Sequence, residues 1–196
     1  PGAAPAPPSD SFLFTGTLDF RPNIDAVRWL ATDIWPLIRR RLPQASLTLA
    51  GRAPVPAIAC LDGQDGISVV ASPSDIRPFF ARAAVYLAPI RAGGGSRFKL
   101  LEAMSAGLGI VSTTLGAEGL AVRDGHEVRL ADQPRSLAEA AVELAGDAPQ
   151  RRRLGEAARE LVLRSYDWPV LAPGLWALYD RLLAPTSVSL PLGEVG

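Results

Sequence analysis

The residues best suited to do chemistry lie together in Tyr86–Gly107, YLAPIRAGGGSRFKLLEAMSAG. An apolar run delivers the chain to Gly93-Gly94-Gly95, and a helix opening at Ser96 follows at once, carrying Lys99 and Glu102. Glycines let a backbone approach a ligand closely, and the unpaired N–H groups of a first helical turn point at an anion. Lys99 and Glu102 are three residues apart, so they share one helix face beside that mouth. The expected ligand of this face is a nucleotide-sugar.

Lys99 is also the only lysine among 20 basic residues, the other 19 being arginine. A lone lysine can arise by chance. A chain that meets its generic positive positions with arginine, however, suggests by this exception a site needing a compact ammonium rather than a planar fork. Cys60 stands alone, which rules out an internal disulfide and a cysteine-based metal site and fits a reducing compartment. Its apolar surroundings, PVPAIACL, read as a small core residue rather than a nucleophile. His126, the only histidine, sits in a turn-like DGHE and reads as a solvated loop residue. It is the one candidate for any histidine base, and metal centres built on several histidines are excluded.

The 196 residues balance 20 acidic against 20 basic side chains, so no net field favours nucleic acid or an anionic membrane. A hydrophobic content of 48% suits a soluble domain with a sizeable core. No apolar run reaches the ~18 residues of a membrane span. The chain starts at Pro1 and shows no signal peptide, which reads as a fragment of a longer protein.

These groups need a scaffold. Apolar strands are expected at 11–16, 45–51, 66–71, 84–90, 109–114 and 127–131, alternating with helical stretches. That is the pattern of a Rossmann-like α/β fold, a parallel sheet of about six strands with helices on both faces and a helical C-terminal extension. The first long helix carries Val27, Leu30, Ile34, Leu37, Ile38 and Leu42 on its apolar face, with Pro36 predicting a kink or break. Arg39–Arg41 and Arg151–Arg153 read as solvated helix ends. Tyr166–Pro169 breaks the pattern, and Leu175, Trp176, Leu178, Tyr179, Leu182 and Leu183 lie on a last helix. The organisation is therefore a proline-rich linker (1–10), one domain (11–184) and a flexible tail (185–196). In open α/β sheets ligands bind beyond the carboxyl ends of the strands, where strand order reverses.

At this point the chain resembles a family, over about 12–183. The segments FTGTLDFRPNIDAVRWL (14–30), SPSDIRPFFARAAVYLAPI (72–90), GGGSRFKLLEAMSAGLGIVSTTLGAEGL (93–120) and YDWPVLAPGLWALYDRLL (166–183) are similar, in order and spacing, to the C-terminal, donor-binding half of retaining glycosyltransferases of family 4, the two-Rossmann GT-B type. The resemblance implies that Glu102 holds the ribose hydroxyls of the nucleotide; read alone, it could be an exposed helix glutamate. It makes Lys99 and Glu102 the catalytic pair and extends the donor contacts to Gly16, Arg91, Gly93, Gly94, Gly95, Ser96, Arg97 and Leu101. The base would lie against Ala71, Ser72 and Ile76.

Two departures stand out. Many members carry a second glutamate eight positions before Glu102, where this chain has Gly94. Many also place an arginine and a lysine after strand one, where this chain has only Arg21. Lys99, with Arg91 or Arg97 and the backbone of 94–96, would then neutralise the diphosphate.

The implied activity is sugar transfer from a nucleotide diphosphate donor with retained configuration, using no metal and no other cofactor. The acceptor site would belong to an N-terminal domain missing from this chain, to which the last helix crosses back, in a cytoplasmic protein or one at the inner face of a membrane. Nucleic acid is not an expected partner. Open alternatives are a sugar-nucleotide epimerase half, a non-catalytic nucleotide-binding module and a flavodoxin- or receiver-like domain.

Overall fold

The computed structural model describes residues 8–183. Residues 1–7 of the expected linker (1–10) and the expected tail at 185–196 lie outside the described residues. Six strands form one parallel sheet: β1 (Ser11–Thr15), β2 (Ser46–Gly51), β3 (Ile67–Ala71), β4 (Val85–Ala88), β5 (Gly109–Ser112) and β6 (Arg129–Leu130), ordered β3-β2-β1-β4-β5-β6. Parallel neighbours need crossovers, and helices supply them on both faces.

Successive strand residues point to opposite faces, so each strand serves two cores. Phe12 and Phe14 enter one core, with α1 (Arg21–Trp29), α2 (Trp35–Arg41) and α6 (Pro134–Gly146). Leu13 enters the other, with α4 (Arg77–Arg82), α5 (Phe98–Ser105) and α7 (Ala148–Ser165). A one-turn α3 (Pro56–Ala59) and a last helix, α8 (Trp168–Leu183), complete the chain.

Strand order reverses between β1 and β4, which pair through Phe12↔Val85 and Leu13↔Tyr86. One connection leaves β1 toward β2 and the other leaves β4 toward β5. The loops beyond these two strands therefore part and leave a crevice.

Several expectations are corrected. The helix runs on through Pro36 without a break. Instead Leu30–Ile34 forms a π-helical turn between α1 and α2, in which the Trp35 N–H bonds Leu30 O five residues back. Proline lacks the N–H of an α-turn and crowds the carbonyl four residues earlier, and a wider turn relieves both. Cys60 is exposed rather than in the core, because the single turn of α3 buries Ile58 and leaves Ala59 and Cys60 on its outer side. Arg39 and Arg151 are not solvated helix ends. Arg39 donates to Ala45 O at 2.8 Å, and Arg151 Nη1 closes the end of α6 on Leu144 O and Ala145 O.

Candidate functional site

The crevice is built first by glycines. The loop after β1 lies against the end of β2 so closely that a Cβ on Gly51 would stand 1.7 Å from Gly16 O. A Cβ on Gly16 would stand 2.8 Å from Asn23 Nδ2 and 3.3 Å from Lys99 Nζ. Proline at the start of α1 fixes its first turn, and Asn23 follows Pro22, buried at 5% exposure. Asn23 Nδ2 donates to Thr17 O at 2.8 Å, while its Oδ1 accepts a hydrogen bond from Lys99 Nζ. The Lys99 ammonium also lies 5.0 Å from the Phe14 ring centroid, a cation–π position. The stretch from β1 into α1 and, 76 positions from Asn23, the start of α5 thus converge on one cation.

Burial pushes the Lys99 ammonium down to about 8; Arg97 nearby adds to the effect and Glu102 opposes it. Burial raises the Glu102 carboxyl above its ordinary range, and Lys99 partly offsets this. Both line a cleft of about 340 Å³ with Gly16, Gly51, Arg52 and Ser72 at the ends of β1, β2 and β3. Lys99 also lines an adjoining cavity of about 250 Å³ bounded by Asn23, Gly94, Gly95, Ser96 and Arg97. Glu102 reaches an apolar pocket on its other side, about 630 Å³, where Leu101, Phe98 and Tyr166 form the walls. Lys99 is therefore shared by the cleft and the glycine cavity.

The other sequence-predicted residues divide. Gly93, at φ 94°, packs on α1: a Cβ there would lie 2.7 Å from Pro22 Cγ. Gly94 and Gly95 stand open, with nothing within 4 Å of such an atom. Ser96 lines the glycine cavity but does not open the helix. α5 begins at Phe98, after Arg97 in a left-handed conformation (φ 52°, ψ 29°) that interrupts helical geometry. Arg97 holds this turn by donating to Gly93 O and Glu118 O at 3.3 Å and pairing with the Glu118 carboxylate at 3.0 Å.

Arg91 points elsewhere. It pairs with Asp25 at 2.7 Å, stacks on Trp29 at 4.5 Å and lines a separate cleft along α1. Leu101 faces the apolar pocket, not the polar cleft. Ser72 and Ile76 border the cleft that holds Glu102, and Ala71 ends β3, paired with Gly51. Asn23, Phe14 and Gly51 are site residues that sequence reasoning missed. An asparagine after a helix-starting proline was the one available signal, and it reads equally as a turn residue.

Among the described residues no three His, Cys, Asp or Glu side chains gather as a metal site. His126 Nδ1 lies 2.8 Å from the buried Glu127 carboxylate, which also accepts from the Arg123 N–H and guanidinium, far along the chain from the crevice. Among the described residues no helix is long and apolar enough to cross a membrane.

A family model described as "Glycosyl transferases group 1" matches residues 9–147. The chain is 37% identical over 102 residues to a phosphatidyl-myo-inositol mannosyltransferase of Mycobacterium leprae, covering 51% of this chain and 27% of that protein. It spans less than half the length of the curated relatives it matches. Its fold superposes on the C-terminal domain of a glycosyl transferase group 1 family protein, LpcC, of Francisella tularensis, with TM-score 0.63, 15% identity and coverage of 80% and 85% of the two chains. It also superposes on Anabaena HepE in complex with UDP-glucose, with TM-score 0.71, 16% identity and coverage of 88% and 49%.

Proposed function

This chain belongs to the group 1 glycosyl transferases and has the fold of a C-terminal GT-B domain, and from that premise we propose that its crevice holds the nucleoside diphosphate of a nucleotide-sugar donor. The observation that carries this reading is the half-buried Lys99 ammonium, set between two adjoining spaces with a neutral amide and an aromatic ring for neighbours. A cation held without a counter-ion on its inner side is a ready partner for a diphosphate.

The roles follow from chemistry. In glycosyl transfer the diphosphate departs as an anion, and a preorganised ammonium stabilises the charge that develops on it. Lys99 carries that role with the backbone of the glycine turn, since Arg97 is tied to Glu118 and Arg91 to Asp25. Glu102, beside Lys99 in the cleft, accepts hydrogen bonds from the ribose hydroxyls. Ser72 and Ile76 border the space left for the base. The sugar lies toward Gly94 and Gly95, where open space remains. Transfer proceeds with retained configuration.

The acceptor site belongs to a further domain. Two observations support this: the chain spans under half of its curated relatives, and α8 leaves Trp168, Trp176 and Tyr179 exposed. Titration calorimetry of the chain with UDP, GDP and ADP tests the donor reading. At least one nucleotide should bind at micromolar to millimolar concentration; absence of binding by all three overturns it.

A further inference from the structure

Asn23 is neutral at a place where a carboxylate is the usual partner. Lysines drawn out of solvent are ordinarily paired with an opposite charge, yet the side chain that receives the hydrogen bond of the half-buried Lys99 is an amide. The amide has one possible orientation. Thr17 O can only accept, so Nδ2 must face it, and that leaves Oδ1 for the ammonium. The buried Asn23 is therefore held from two sides: one end is anchored to the loop after β1 and the other to α5.

The remaining charged groups around Lys99 come from identifiable elements. Arg97, two residues earlier, and Glu102 on the same helix act on it in opposite senses. Arg52, after β2, lines the same cleft. β1 offers the Phe14 ring, its loop offers Gly16, and α1 offers only Asn23. No carboxylate approaches Lys99 from the α1 side.

We infer that Asn23 is a positioning residue for the donor diphosphate: it fixes Lys99 Nζ at the junction of the two adjoining spaces while leaving its positive charge to the ligand. This rests on the donor reading above and adds to it the source of the precision. An aspartate would hold the ammonium equally well but neutralise it. An aliphatic residue would leave the charge but not its place. The amide does neither, and it supplies what a basic pair in the first loop would supply by number of charges.

The test is calorimetric titration of the chain with UDP, GDP, ADP and inorganic pyrophosphate between pH 7 and 9.5, for wild type, Asn23→Asp and Asn23→Ala. Wild-type affinity should hold near pH 7 and fall by up to about tenfold per unit once the ammonium loses its proton. Asn23→Asp should weaken binding at pH 7 by roughly tenfold, because the new carboxylate competes with the ligand, and should move the decline to higher pH. Asn23→Ala should also weaken binding but move the decline to lower pH, because the buried ammonium loses its acceptor.

Loss of packing alone would not displace the two profiles in opposite directions. Asn23→Asp conserves shape and decides the matter alone if the alanine variant does not fold, which thermal unfolding reports. Declines at the wild-type pH in the folded variants would overturn the inference and leave the donor site standing. Failure of wild type to bind any probe would overturn both.

Discussion

The crevice between β1 and β4 and the helix α8 lack opposite things. In the crevice, Gly16, Gly51, Asn23 and Lys99 are packed so closely that added Cβ atoms would collide, and a positive charge is enclosed with a neutral partner. Along α8 no residue is buried; Trp168 is 71% exposed and Trp176 65%. Its aromatic partners are its own, with Trp176 and Tyr179 ring centroids 6.2 Å apart. One region is short of counter-charge, and the other is short of cover. The domain alone preorganises the first, so its shape is set before any ligand arrives. Nothing among the described residues shapes the second, which is an apolar stripe larger than lone surface hydrophobics make.

Four substitutions probe this contrast. Gly51→Ala should cost about 3 kcal/mol in denaturant unfolding, since the new methyl meets backbone that has nowhere to move. A loss under ~0.5 kcal/mol would mean that the crevice is looser than its contacts imply.

Lys99→Met should lower nucleoside diphosphate affinity by roughly 10–100-fold in calorimetry, while leaving the fold as stable or more so at pH 7. The sign follows from burial. The folded pKa of about 8 lies below the ordinary lysine value of 10.5, so between these the unfolded chain binds more protons and stability from this group rises with pH. The melting-temperature advantage of Lys99→Met should therefore shrink from pH 8 to pH 10; an advantage constant with pH would contradict an enclosed ammonium.

On α8, Trp176→Glu should change stability by no more than ~0.5 kcal/mol while reducing binding of a fluorescent hydrophobic dye. A large loss of stability would show that the helix is packed on the domain after all. Smallest of all should be Gly94→Ala, with stability within ~0.5 kcal/mol, since that glycine has no neighbour and no left-handed backbone. Chemical denaturation measures it, and a marked loss would mean that the turn holds more than its open side suggests.

Much of this architecture could be read from the chain. Uninterrupted apolar strands alternating with helical stretches specify a covered parallel sheet, and the turn from Ile90 to Gly95 marks where the chain leaves β4. Lys99 declared itself by being the only lysine. What stayed hidden depends on contacts between distant segments. Asn23 and Lys99 are 76 positions apart, and nothing local to either reports the other. Arg91 looked available for phosphate because Asp25 and Trp29, which hold it, belong to α1, more than 60 positions away. Ser96 looked like a helix start because a left-handed Arg97 cannot be foreseen from composition; its guanidinium is held by Glu118, again remote.

The π turn at Leu30–Ile34 has a further consequence. Each residue of an α-helix advances the face by about 100°, and the wide turn accommodates one residue more than an α-turn would. Before it, α1 keeps Asn23, Ala26 and Val27 inward; after it, α2 keeps Trp35 and Ile38 inward. Deleting one residue in that turn would rotate one half against the other, so that either Trp35 left the core or Asn23 left Lys99. The extra residue acts as a phase adjuster, and it is what allows one rod to serve both the scaffold's rhythm and the site's.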